Sequence, residues 1–282
     1  MTWDHLDIYV ATSMRNKWEY EEVFDFAQAL FKSPVLTPLK LRYFDPTQSK
    51  CRTSRDKGLL EGLMLKRADC TIYMAQETDT LGKDSELACT LAQGKPVIAY
   101  VPAINPKDFA KVVEERPLEY AKLRLLALQA LEILEEFDEL PRITQTFLRD
   151  LGEHRKEQPF VLWSERDATS FKRAKDYWPD LCRGLAEAEA KAFDKRAMVL
   201  RQYHPLGMQM NLETGVANGV LVVRSVEQCA DLLSAILTNT AEFDLQIDKG
   251  GRILVERNSS SVFRVVTDNE KLTNSFWNLW NL

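Results

Sequence analysis

The sequence predicts an α/β protein: a parallel sheet flanked by helices, then a helical region, then a small α+β unit. Two observations carry the first part. Short apolar, β-favouring runs (Leu6 to Ala11, Leu39 to Phe44, Cys70 to Met74, Val97 to Val101) alternate with stretches of helical period. The resulting order, β-α-β-α-β-α-β, builds a sheet whose crossover helices cover both faces, which is why its strands read as continuous apolar runs. A third observation sets off the C-terminal part. After His204-Pro205-Leu206-Gly207, long charged helical stretches give way to short strands and glycine turns. The boundaries that follow are 1–115, 116–203 and 204–282.

The elements follow in order. Strand Leu6 to Ala11 leads into the polar turn 12–17, which carries Ser13 and Arg15. Trp18 to Phe31 places Val23, Phe26, Ala27 and Leu30 on one helical face, and Ser33-Pro34 ends it. Leu39 to Phe44 alternates with Lys40 and Arg42, as an edge strand does. A polar loop from Asp45 to Asp56 precedes a helix from Lys57 to Arg67. The stretch Ala68 to Pro102 is the organising unit, reading strand, loop, helix, strand. Its loop runs from Gln76 to Asp84, Glu86 falls in the first turn of the helix, and Gly94 ends it. Farther on, 118–137 and 143–151 have helical period, and Ser164 to Gln202 reads as helix interrupted at Trp178-Pro179 and Gly184. In the last part, Met208 to Leu212 and Gly219 to Val223 read as strands around an Ala217-Asn218-Gly219 turn, and Ser225 caps a helix. Three more strands follow, at Phe243 to Ile247, Arg252 to Glu256 and Val262 to Val266. A final helix from Asp268 carries Phe276, Trp277 and Trp280, which suit docking on the small sheet.

Composition narrows the class. A net charge of −5 and few basic clusters argue against general nucleic-acid binding. No apolar run reaches the ~18–20 residues of a membrane span, and MTWDHLD lacks a secretory pattern, so the expectation is a cytoplasmic protein with no membrane contact. Five scattered cysteines suit a reducing compartment better than a disulfide framework or zinc site, and three distant histidines argue against a histidine-based metal site. No metal or cofactor is expected. Walker, GxGxxG, HExxH and GxSxG motifs are absent from the sequence.

Open α/β sheets bind ligands outside the carboxyl ends of their strands, which puts Asp79, Asp84 and Glu86 at the rim. A carboxylate early in a helix also has a plain explanation, since it complements the helix dipole by about 0.3–1 kcal/mol. Arg15, with Ser13 before it, stands at the same rim and suits a phosphate as well as it suits plain solvation. Arg55, with Lys50 and Arg52, fits a solvated loop better, with substrate phosphate as the alternative.

The run DTLGKDSELACTLAQGKPVI resembles the nucleoside 2-deoxyribosyltransferase-like superfamily, in which an acidic, glycine-containing loop precedes a helix with a catalytic glutamate and then A-x-x-x-G-K-P-V-I. Ile8-Tyr9-Val10-Ala11 is similar to that family's first strand, and the resemblance covers about Leu6 to Pro102. It implies a flavodoxin-like sheet, Glu86 as nucleophile, Tyr9 as its orienting group, and Asp79 and Glu61 as further acidic site residues. Toll/interleukin-receptor-like NAD-cleaving domains share that layout and the glutamate. Similar domains occur in bacterial anti-phage effectors, commonly fused to a second domain.

N-glycosidic cleavage passes through an oxocarbenium-like state, which a nearby carboxylate stabilises or captures. Glu86 fits that role; Asp79, Asp84 or Glu61 could assist the departing base. The expectation is therefore cleavage of NAD or of a purine nucleoside or deoxynucleotide. The rivals are a true deoxyribosyl transferase and a non-catalytic nucleotide-sensing module. The helical and C-terminal regions leave room for a protein partner or a second copy of the chain.

Overall fold

The computed structural model describes residues 5–14, 17–46, 51–76, 80–115, 178–202, 208–211, 216–248 and 251–265. Strands β1 (Leu6–Ala11), β2 (Leu41–Phe44), β3 (Cys70–Met74) and β4 (Val97–Tyr100) alternate with helices α1 (Lys17–Phe31), α2 (Ser54–Arg67) and α3 (Leu81–Ala92). Helices α4 (Pro106–Glu115) and α5 (Trp178–Gln202) come next, followed by strands β5 (Met208–Asn211), β6 (Val216–Gly219) and β7 (Leu221–Val223). Helix α6 (Val226–Leu237) and strands β8 (Phe243–Asp248), β9 (Gly251–Glu256) and β10 (Val262–Val265) complete the described elements.

The first sheet is wholly parallel, in the order β2-β1-β3-β4-β7. Side chains alternate across its faces. Ile8, Val10, Ile72, Met74, Ile98, Leu221 and Val223 join Val23, Phe26 and Leu30 of α1 and Leu232 and Leu233 of α6 in one apolar core. Tyr9 and Thr71 turn to the other face, where α3 lies. With β7 counted as the fifth strand this is the flavodoxin-like order. The chain leaves β1 in one direction toward β2 and in the other toward β3, and that reversal opens a crevice at the carboxyl ends of β1 and β3.

The glycine turns after Gly207 suggest a separate C-terminal unit, and the chain does otherwise. Strand β7 adds to the first sheet beside β4, and Leu221 and Leu233 lie in its core. The remaining short strands form an antiparallel sheet, β5-β6-β10-β9-β8, whose Phe263 reaches the same core. Residues 1–102 and 196–282 thus form one compact unit and 103–195 another, in place of divisions after 115 and 203. The physical reason is the open edge of β4, which a strand from beyond the inserted stretch fills.

Smaller differences have local causes. Helix α5 runs through Gly184 without a break, and Pro179 sits in its first turn, where its missing N–H costs nothing. Ala217 to Gly219 is not a turn but part of β6, paired with β5. The helices expected across 118–151, and the aromatic helix after Asp268, fall outside the described residues.

Strand β7 lies at the sheet's edge. Val222 donates its N–H to Ser261 Oγ (2.9 Å) and accepts Arg201 Nη2 at its carbonyl (3.3 Å). The turn presenting Ser261 is held by buried Glu256, whose carboxylate accepts the N–H groups of Asn258 (3.0 Å) and Ser259 (2.6 Å).

Helix α3 ends in a Schellman motif. Gly94 N–H reaches the Leu91 carbonyl (2.9 Å), Lys95 N–H reaches that of Thr90 (3.2 Å), and Gly94 takes φ +69°. A Cβ at Gly94 would meet nothing within 4 Å, so Gly94→Ala carries only backbone strain. We expect it to cost about 1–2 kcal/mol and lower the melting temperature by about 2–8 °C. Gly82, inside α3 and at ordinary φ with only Thr80 Oγ1 at 3.8 Å, should respond oppositely, Gly82→Ala raising stability by about 0.5–1 kcal/mol. Thermal melts followed by circular dichroism check both signs.

Candidate active site

The site assembles where α3 meets the carboxyl ends of β1 and β3. Tyr9, on β1, is fully enclosed and packs against Phe44, with ring centroids 5.6 Å apart. Its hydroxyl donates to Glu86 Oε1 at 2.7 Å. Burial, then the Glu86 charge, pushes the Tyr9 phenol far up, so it stays a donor.

Glu86 is held by its helix. Thr80 caps α3, its Oγ1 accepting Lys83 N–H at 3.2 Å, so the helix begins at Leu81, earlier than its polar loop-like residues suggest. Asp84 therefore occupies the first turn and Glu86 the second. Dipole effects fade within the first turn, so the plain helix-start explanation for Glu86 loses most of its force. Thr90 Oγ1 donates to the Glu86 carbonyl (2.9 Å) and lies 2.8 Å from Thr71 Oγ1, which ties this turn of α3 to β3. While Oε1 takes the tyrosine, Oε2 is buried and has no hydrogen-bond partner. Burial, and next the charge of Glu61, pushes the carboxyl up to about 7, against the Tyr9 hydrogen bond and the charges of Lys83 and Lys57.

The other expected residues divide. Glu61, on α2, pairs with Lys57 at 3.6 Å and raises both Tyr9 and Glu86, so it faces the same pair. Asp84 is otherwise engaged: it accepts the Tyr73 hydroxyl at 2.9 Å, and Arg196 Nη2 lies 3.3 Å from the same hydroxyl. Ser13 stands at the crevice through its backbone, with its N–H on Gln76 Oε1 (2.6 Å) and its carbonyl accepting Gln76 Nε2 (3.1 Å). The hydroxyls of Thr12 and Ser13 are buried there without partners. Arg55 lies exposed in the first turn of α2 and forms no bond to these groups. Asp79 and Arg15 fall outside the described residues.

Three groups escaped the sequence reading. Gln76 bridges Ser13 and Glu22, donating to Glu22 Oε2 at 3.2 Å. Glu22 of α1 is pushed up to about 7 by burial, against the Gln76 hydrogen bond and the charge of Lys83. Lys83 is 1% exposed and donates Nζ to the Met74 carbonyl at 2.8 Å, 4.9 Å from the centre of the Tyr73 ring. One signal was available, since Lys83 precedes Glu86 by three residues and so shares its helical face. Among the described residues no three His, Cys, Asp or Glu side chains are grouped to hold a metal, and no helix is long and apolar enough to cross a membrane.

Fold and site together define an open α/β domain with a tyrosine-bound carboxylate at its switch point. No family model and no curated protein matches the sequence. A conserved protein from Enterococcus faecalis V583 is similar over 35% of this chain and 64% of its own, at 16% identity and a TM-score of 0.30. A 2-desoxiribosyltransferase from Leishmania mexicana is similar over 34% and 63%, at 18% identity and a TM-score of 0.29. The chain thus spans less than two thirds of either protein, and at these identities the likeness says nothing of activity.

Burial of Glu86 has a measurable sign. Its folded value of about 7 stands above its ordinary 4.5, so its contribution to stability is full below pH 4.5 and is lost as pH rises through 7. Glu86→Gln mimics the neutral form and still accepts the Tyr9 hydroxyl. Its melting temperature should exceed the wild type's at pH 8, and the gap should narrow markedly by pH 5. Melts at the two pH values check this, and a variant less stable at pH 8 would contradict it.

Proposed function

We propose that this chain cleaves the N-glycosidic bond of a nucleotide, either NAD or a purine nucleoside or deoxynucleotide, with Glu86 as the reacting carboxylate. One observation carries the reading: a buried carboxylate at the switch-point crevice has one oxygen held by Tyr9 and the other unpartnered. That arrangement leaves Oε2 unpaired for an electron-poor carbon, which reaches it once the side chains enclosing it move aside.

The sequence of events follows retaining glycosidases. Oε2 bonds to the anomeric carbon while the carbon–nitrogen bond breaks and the base leaves with its electron pair. A neutral purine needs a proton or a hydrogen bond as it departs, and we assign that role to Glu61, which faces the Tyr9–Glu86 pair, since Asp84 is tied to Tyr73. Nicotinamide leaves NAD as a neutral molecule and needs none. Water then attacks the same carbon, frees Glu86 and yields the sugar with its hydroxyl and a proton. The Tyr9 hydrogen bond favours the charged form of Glu86 before the attack and again when water releases it.

Glu86 must be ionised to react, so base release should rise with pH through about 7 and level off above it. Glu86→Gln should lose at least three orders of magnitude, the scale of losing an essential nucleophile. Tyr9→Phe removes one hydrogen bond to a charged group, about 1.5–3 kcal/mol, and should slow release about tenfold to a hundredfold while moving the rise to higher pH. Chromatography of free bases after incubation with NAD, purine nucleosides and deoxynucleotides measures all three. Normal release by Glu86→Gln would end the reading, and nucleotide binding without release by the wild type would favour the sensing module.

A further inference from the structure

Lys83 is an expensive residue where it stands. Taking an ammonium out of water costs several kcal/mol per ion, and a methionine of similar length would fill the same slot without that cost. Its donation to the Met74 carbonyl and its place over the Tyr73 ring satisfy the ammonium but do not account for the charge. Four carboxylates do. Its ammonium feels Asp84 of α3 most, then Glu22 and Glu19 of α1, then Glu86 of α3. Burial lowers Lys83 to about 8, and these four charges hold it up.

Glu86 in turn is met by Tyr9 from β1, by Glu61 and Lys57 from α2, and by Lys83 from its own helix. Of the two cations, Lys57 already pairs with Glu61 and its side chain is 40% exposed, so solvent and salt screen it. Lys83 is enclosed and one turn away on the same face, so its field reaches Glu86 with little screening.

We propose that Lys83 is a positioning residue: its buried ammonium, one helical turn from Glu86 on the same face, is the fixed counter-charge that favours the reactive, ionised form of the Glu86 carboxylate beside Tyr9. This rests on the reading of Glu86 as the reacting carboxylate. A purely structural lysine would serve Asp84 and the carboxylates of α1, and the two roles separate on Glu86's own proton.

The test labels the glutamate side-chain carboxyls with carbon-13 and follows their titration by NMR, the Glu86 signal being the one lost in Glu86→Gln. The wild-type midpoint should fall near pH 7. In Lys83→Met it should move up by about one pH unit or more, the effect of removing a nearby opposite charge. Base release at pH 7 should then fall about fivefold or more and recover near pH 9, since only the ionised fraction reacts. If Lys83→Met fails to fold, because it leaves Glu19 and Glu22 without their cation, Lys83→Met with Glu22→Gln removes the charge and one of those acids together. The midpoint should stay shifted in that double variant. A Glu86 midpoint equal to the wild type's in the double variant overturns the proposal. A shifted midpoint in a protein that releases no base upholds Lys83's action on Glu86 and overturns the glycosidic reading alone.

Discussion

The hydrogen bond from Tyr9 to Glu86 joins β1, inside the sheet, to the second turn of α3, and it belongs to a polar seam. Tyr73 reaches Asp84, Thr71 reaches Thr90, and Lys83 reaches back to the Met74 carbonyl. One face of this sheet is sealed by hydrocarbon from α1 and α6, whereas α3 sits on the other face through paired polar groups. Such a seam tolerates no slack, because each buried polar atom left alone costs about 1–3 kcal/mol. Along α3 the atom left alone is Glu86 Oε2. A seam otherwise paired has one enclosed acceptor without a partner, and it lies beside the switch point.

The charges around that acceptor are crowded in a way stability alone does not favour. Glu22, Lys83 and Glu86 are all displaced from their ordinary ionisation, each by burial first. Groups pushed toward neutrality from both sides, acids upward and the lysine downward, are the pattern found where proton and charge are put to chemical use. The same pattern also arises in purely structural ion networks. What separates this one is Oε2, which a structural network would have filled.

The parallel strands were legible because burial on both faces writes itself as unbroken apolar runs, as in Cys70 to Met74. The Tyr9–Glu86 pairing was legible through two stretches, Ile8 to Ala11 and the run in which glycine, lysine and proline follow the helix after the carboxylate, and Gly94 shows why that glycine is needed. Other features were not. Leu81-Gly82 resembles loop, and only the Thr80 cap reveals that α3 has begun. Val220 to Val223 reads as a strand of any sheet, and nothing local says that its partner is β4, far back in the chain beyond a long insertion. Glu22 and Lys83 sit in charged helices whose polar residues ordinarily face water. Their burial follows from how α1 and α3 flank the crevice, which no window of sequence contains.

The capping of Val222 by Ser261 and Arg201 has a consequence for assembly. A parallel sheet normally ends in a raw margin of unpaired amides, a template on which another strand can lay itself. Here the outermost strand is only three residues long, and its middle residue has both backbone groups already claimed by side chains. That margin cannot seed the stacking of one molecule onto the next. Association through that margin would have to use side-chain surfaces in place of a continued ladder, which leaves β2, β5 and β8 as the described strands with a free side.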